Sequence, residues 1–158
     1  MNRLYCTAAL LALIVPMTTV RLPGGVVLNE VMYHPDEDND ALQFIELHNA
    51  DPKPVTLTGW KLTKGVTITA PEFTLPAGGF AVICRQRDAC VRAYGTNFAL
   101  LGEFKGRLSH GGERLELTDS KGQVVDALAF GDETPWPTGP DGNGCSLERI
   151  SPAADSEN

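Results

Sequence analysis

The chain has 158 residues, with 13 Lys and Arg against 20 Asp and Glu, a formal net charge of −7 and 42% apolar residues. That length suits one domain, and the composition excludes collagen, coiled coil and a fully disordered chain. The acidic balance argues against a nucleic-acid binder, which needs a basic face to neutralise phosphates. With 16 glycines and 11 prolines the chain turns often, which favours many short strands over a few long helices.

In chain order, the first expected element is an export signal. Arg3 gives a positive start, positions 4–20 carry no charge, AALLALIV at 8–15 is wholly apolar, Pro16 breaks any helix and Arg21 ends the run. This is the layout of a secretory signal peptide. No A-x-A pattern follows the apolar core, so Thr18 or Thr19 is the small residue at the cut. The alternative is an uncleaved anchor, since the uncharged run sits at the short limit for a bilayer span. The organisation expected is a signal peptide at 1–20, a linker at 21–25 and one domain at 26–158, secreted or extracytoplasmic. Membrane contact is expected only through an uncleaved N-terminal segment. Removing 1–20 takes away Arg3 and no acid, which leaves a charge of −8.

The remainder reads as strands. VVLNEVMY at 26–33 is an apolar, β-branched run, and FIELHN at 44–49 alternates, with Ile45 and Leu47 on one face. VTLTGWKLT at 55–63 alternates in two halves about Gly59. Strands follow at 73–75 and at 80–84 (FAVIC), separated by a Pro-Ala-Gly-Gly turn. RLELTD at 114–119 and VVDALAF at 124–130 form a hairpin through Ser120-Lys121-Gly122-Gln123, and SLERI at 146–150 closes the set. Alternation of period two with regular turn signals predicts an all-β sandwich or barrel, and the mixed faces favour antiparallel pairing. One short helix is predicted at 88–94, capped by Asp88, stopped at Gly95 and plugging an end of the sandwich.

Six blocks together carry a family resemblance: VVLNEVMYHP, FIELHNADPKPVTLTGWKLTKG, LPAGGFAVI, LSHGGERLELTDSKGQVVDALAFGD, PWP and DGNGCSLERISPAAD. In this order and spacing they resemble the lamin tail domain, in its bacterial secreted form, over residues 26–158. The resemblance implies an immunoglobulin-like antiparallel β-sandwich with one short helix. It implies a non-catalytic module that binds a protein or a cell-surface polymer. The alternative it leaves open is an accessory domain of a longer exported enzyme, hydrolase or kinase-like. The family motif normally runs on past SLERISPAAD, so truncation of the domain at its C-terminal end is an expectation that the resemblance raises. The nuclear members' association with nucleic acid does not suit the charge of this chain, so no nucleic-acid partner is expected.

Within the blocks, Asn29, Glu30, Glu46 and Asn49 interrupt apolar strands. They are expected to hold strands or a loop in register, with ligand contact as the alternative. Gly59-Trp60 places a ring in the core after a bend, and Gly111-Gly112 supplies a tight turn. The family usually has Asn where this chain has His110, which makes His110 a candidate binding residue. Trp136, in Pro135-Trp136-Pro137, is the second candidate, either a lid on the core or an exposed anchor.

The acidic run suggests calcium, with Asp36, Asp38 and Asp40 as candidates at positions 1, 3 and 5 of an EF-hand loop. Position 6 is Ala41 rather than Gly and position 12 is Leu47 rather than Glu, so the motif fails. A looser Ca²⁺ cage or a solvated loop remains, and no other cofactor is expected. His34, His48 and His110 share no metal-ligand spacing, so a zinc site would require them to converge in space with an acid. No catalytic residue is expected, because nucleophile elbow, Walker loop and dinucleotide fingerprint are all missing. Of the three cysteines beyond the signal, Cys84 and Cys90 are the expected disulfide and Cys145 is left over.

Overall fold

The computed structural model describes residues 25–152. The expected signal peptide, nearly all of the linker and the last six residues lie outside them. Among the described residues, no helix is long and apolar enough to cross a membrane.

Among the described residues, eleven strands and one α-helix build a two-layer sandwich. The strands are β1 (Val26–Met32), β2 (Phe44–Asn49), β3 (Val55–Thr56), β4 (Lys61–Lys64), β5 (Ile68–Thr69), β6 (Thr74–Leu75), β7 (Phe80–Cys84), β8 (Leu100–Glu103), β9 (Gly112–Thr118), β10 (Val124–Gly131) and β11 (Leu147–Glu148). A five-stranded sheet runs β11-β1-β2-β7-β8, a four-stranded sheet runs β10-β9-β4-β5, and β3 and β6 form a separate ribbon. The core lies between the sheets. Leu28, Val31, Ile45, Leu47 and Ile83 come from one layer, Leu62, Leu115, Leu117, Leu128 and Phe130 from the other. The observed fold is the all-β sandwich expected from the alternation, in the immunoglobulin-like form that the resemblance implies, and Trp60 packs against its core.

Three details differ from expectation. Pairing is not wholly antiparallel, because β8 runs parallel to β7. The chain crosses back through α1 (Arg87–Tyr94), as a parallel pair requires. Asp88 does not cap this helix. Gln86 stands at the cap without a side-chain bond, and the free Arg87 N–H donates instead to Glu103 Oε1 at 2.6 Å, supplied by β8. Nor does α1 plug an end of the sandwich. Its Cys90 packs with Val82 and Cys84 on the outer face of the five-stranded sheet, and its Tyr94 meets Phe44 edge to face at 5.4 Å. The outer-face positions Phe44, Val82 and Cys84 are apolar and need cover, which explains this placement.

The register of β1 shifts between Leu28 and Glu30. A bulge leaves backbone groups outside the ladder, and two residues distant in sequence meet them. Leu28 N–H donates to Asp126 Oδ2 at 2.8 Å, and Arg149 Nε donates to Leu28 O at 3.0 Å. The Arg149 guanidinium also reaches Asp126 at 2.7 Å. Burial pushes the Asp126 carboxyl up, against the Leu28 N–H and Arg149, which favour its charged form. This pair ties β10 and the segment after β11 to the kink in β1.

Candidate functional site

Three connections bring polar side chains to one end of the sandwich. His34 follows β1, and two short 3₁₀ turns, Asp36–Asp38 and Asp40–Leu42, carry Asp38 and Asp40 toward β2. His110 stands in the connection from β8 to β9, and Asp141 in the connection from β10 to β11. The rings of His34 and His110 stack with centroids 3.7 Å apart and planes 11° from parallel. Asp38 Oδ1 lies 2.7 Å from His34 Nε2 and 3.8 Å from His110 Nδ1. The remaining nitrogens each meet an aspartate: His34 Nδ1 lies 2.6 Å from Asp141 Oδ1, and His110 Nε2 lies 2.8 Å from Asp40 Oδ1. Asp40 Oδ2 is held by Arg85 at 2.8 Å, with Arg107 at 3.5 Å.

The loop backbone shapes this cluster. Glu37 and Asp38 both adopt positive φ, at 55° and 53°, which is costly for residues with a Cβ. Gly142 N–H donates to His34 O at 3.1 Å. A Cβ on Gly142 would stand 3.3 Å from the His34 ring, so the chain passes flat against the imidazole. Burial pulls the His34 imidazole down, but its hydrogen bonds to Asp38 and Asp141, with their charges, outweigh that and raise it. Both ring nitrogens face carboxylates, an arrangement that favours the doubly protonated ring. For Asp40, burial acts upward, and the Arg85 and His110 contacts reverse it and lower the carboxyl.

The calcium trio is not assembled. Asp36 Oδ1 accepts the Glu37 N–H at 2.9 Å, Asp38 faces the histidines, and Asp40 has one oxygen on His110 and the other on Arg85. The histidines that share no sequence spacing do converge, His34 and His110 with Asp38, while His48 stacks on Phe80 at 4.3 Å elsewhere. Trp136 packs against the core and lies over Gly131, as a lid does. Cys84 and Cys90 are buried neighbours as free thiols, and Cys145 is exposed. The hydrogen bond with Cys90 and then burial push the Cys84 thiol up, so it stays protonated.

A second feature was not anticipated. The outer face of the five-stranded sheet holds a groove of about 330 Å³ lined by the apolar side chains of Met32, Phe44, Val82 and Phe98, by Tyr94 and by the carboxylates of Glu30 and Glu46. Glu46 pairs across the strands with Glu30, and Glu30 with Glu148, so three carboxylates form one lateral row. Asn29 Nδ2 donates to Glu46 Oε1 at 3.0 Å, and the Ser146 hydroxyl donates to Glu30. Thus Asn29 anchors a groove residue.

Like charges directly opposed across strands oppose folding. Burial pushes the Glu46 carboxyl up. Asn29 favours its charged form, while the Glu30 and Glu148 charges push it higher. A carboxyl raised on folding costs stability at pH above its folded value, and the cost is absent below its unfolded value. Glu46→Gln is therefore expected to raise the unfolding free energy at neutral pH by roughly 0.2–1 kcal/mol, at the low end because the row is partly exposed. Near pH 3 the two proteins should be equally stable. Urea melts at both pH values check this, and an equal difference at both would contradict it.

The comparison with family models decides the relationship. The lamin tail domain model matches residues 19–132, more than two thirds of the chain. The chain belongs to the lamin tail domain family. No curated protein sequence matches it. The match to this lamin tail domain ends at Asp132, yet the sandwich continues: β11 pairs with β1, and Asp141 completes the histidine cluster. Lamin tail domains are non-catalytic immunoglobulin-like domains and generally interaction modules.

Proposed function

We propose that this lamin tail domain is an exported, non-catalytic interaction module whose ligand, a protein or a surface polymer, lies across the outer face of the five-stranded sheet. The groove carries this reading. An antiparallel pair facing solvent normally presents polar side chains outward, whereas here the half-buried Phe44 and Phe98 line a groove with the buried Met32 and Val82, beside the row of glutamates. An apolar floor next to a row of carboxylates selects a ligand with apolar and basic groups side by side. In an oxidising compartment the adjacent Cys84 and Cys90 thiols would close a bridge joining α1 to β7.

The test uses the full chain produced in exporting cells, with a photoreactive residue at Phe98 or, as control, at Val124 on β10 of the opposite sheet. The expected result is a discrete cross-linked species from Phe98 and none from Val124, in extracytoplasmic material lighter by two hydrogens from the Cys84–Cys90 bridge. Equal cross-linking from both positions, or protein retained in the cytoplasm, would refute the proposal.

A further inference from the structure

The end of the sandwich that carries the stacked histidines has its own chemistry. One donor atom each from His34, Asp38 and His110 lies within 4.8 Å of the others. Tetrahedral ions of the zinc class hold nitrogen and oxygen donors at ~2.0–2.2 Å, which sets the donors about 3.3 Å apart. The distances from Asp38 Oδ1 to the two nitrogens, 2.7 and 3.8 Å, straddle that spacing. Small rotations of the side chains, with some splaying of the stacked rings, bring all three donors to one ion.

The surroundings of the two rings strengthen the assignment. A metal-bound histidine normally gives its other nitrogen to a carboxylate or carbonyl, which fixes the tautomer and aims the ligand nitrogen. Here both rings have that partner, His34 in Asp141 and His110 in Asp40. Arg85 fixes Asp40 in turn, so the outer partner of His110 is itself anchored. The nitrogens left over, His34 Nε2 and His110 Nδ1, face the same Asp38 carboxylate. Asp38 is 79% exposed and leaves the approach open, whereas the histidine side chains are 16% and 24% exposed and well positioned. Two imidazoles with one carboxylate suit zinc and its transition-metal neighbours rather than calcium, which prefers oxygen donors throughout.

We propose that His34, Asp38 and His110 bind one divalent transition-metal ion of the zinc class, with Asp141 and Asp40 as positioning residues for the two histidines. Three protein ligands leave a fourth position for water or for a donor group of a partner. The site does not depend on the groove being the interaction surface.

The experiment titrates the metal-free full chain with Zn²⁺ by calorimetry, then with Co²⁺, whose visible ligand-field bands report nitrogen coordination. One equivalent of Zn²⁺ should bind and raise the melting temperature, and Ca²⁺ at the same concentration should do neither. Asp38→Asn alters an exposed side chain and leaves the fold intact; it should weaken Zn²⁺ binding at least tenfold. Asp141→Asn should weaken it by ~10–100-fold while keeping one equivalent. His34→Ala with His110→Ala should abolish binding and the Co²⁺ bands. No heat with Zn²⁺, equal binding of Ca²⁺, or affinity unchanged in Asp38→Asn would each overturn the proposal.

Discussion

Gln43→Leu is expected to lower the free energy of unfolding by about 4 kcal/mol and to disorganise the histidine cluster at the same time. The Gln43 side chain is fully buried and pairs with Leu108 as a strand would. Leu108 N–H donates to Gln43 Oε1 at 2.9 Å, and Gln43 Nε2 donates back to Leu108 O at 2.9 Å. Nε2 also donates to Tyr33 O at 2.7 Å and, more weakly, to Asp40 Oδ1 at 3.3 Å. Leucine fills the volume and supplies none of these bonds, so two carbonyls and one N–H are left buried without partners. Each such orphan costs ~1–3 kcal/mol, and the sum is not fully additive. Tyr33 precedes His34, Leu108 is two residues before His110, and Asp40 holds His110. One amide therefore spaces two of the connections that build the site. Denaturant melts measure the loss, and an unchanged slope would show that only stability moved. Gln43→Glu should be comparably damaging, because it keeps the acceptor, removes the donors and buries a carboxyl. A loss below about 1 kcal/mol in the leucine variant would mean that the 108–110 segment is held by other contacts.

Strands with one face on the core and the other in water announce themselves by alternation, and β2 and β9 are legible for that reason, whereas β7 and β10 are legible from the turns that precede them. In β1 the bulge breaks the alternation, since Val26 and Leu28 face the core and then Val31 and Tyr33 do. Its continuous apolar run still marks it as a strand. Strand β8 offers only Leu100, Leu101 and Gly102, and its pairing follows from the crossover through α1 rather than from any local pattern. The helix start was misread for a similar reason, because the carboxylate that serves it comes from β8. Asn49, flagged as a polar interruption, does hold register. Its Nδ2 reaches the carbonyls of Lys53, Leu75 and Pro76, at 2.9, 3.1 and 2.9 Å. The histidine cluster was invisible to motif spacing because its members come from three connections that meet only after the sheets stack. The one local signal was the His34-to-Asp38 interval, four residues long, which the structure uses directly. The sequence names His110 and Asp38 separately, as a binding and a calcium candidate, without a reason to join them.

Gly112→Ala is expected to cost about 4 kcal/mol, whereas Gly111→Ala should cost less than about 1 kcal/mol. The Gly-Gly pair reads as one turn signal, yet only the second glycine is required. Gly112 has φ +93°, and a Cβ there would lie 2.3 Å from Phe130 O and 2.5 Å from Gly131 Cα. Both obstacles are backbone, in the strand that pairs directly with it, Gly131 opposite Gly112. The clash cannot be relieved by turning a side chain, and β10 cannot withdraw without pulling Phe130 out of the core. At Gly111 the nearest atom to a new Cβ is Ser109 Oγ at 4.0 Å. The loop before Gly112 is closed by Ser109 N–H donating to Glu113 Oε1 at 2.8 Å and by Gly112 N–H donating to Ser109 O at 3.3 Å. Strain at Gly112 therefore reaches His110, and the alanine variant should lose Zn²⁺ affinity as well as stability, while the Gly111 variant keeps both. Paired thermal melts and Zn²⁺ titrations on the two variants separate the cases. Equal losses at the two glycines would show that the close approach of β9 to β10 at Gly131 does not govern this turn.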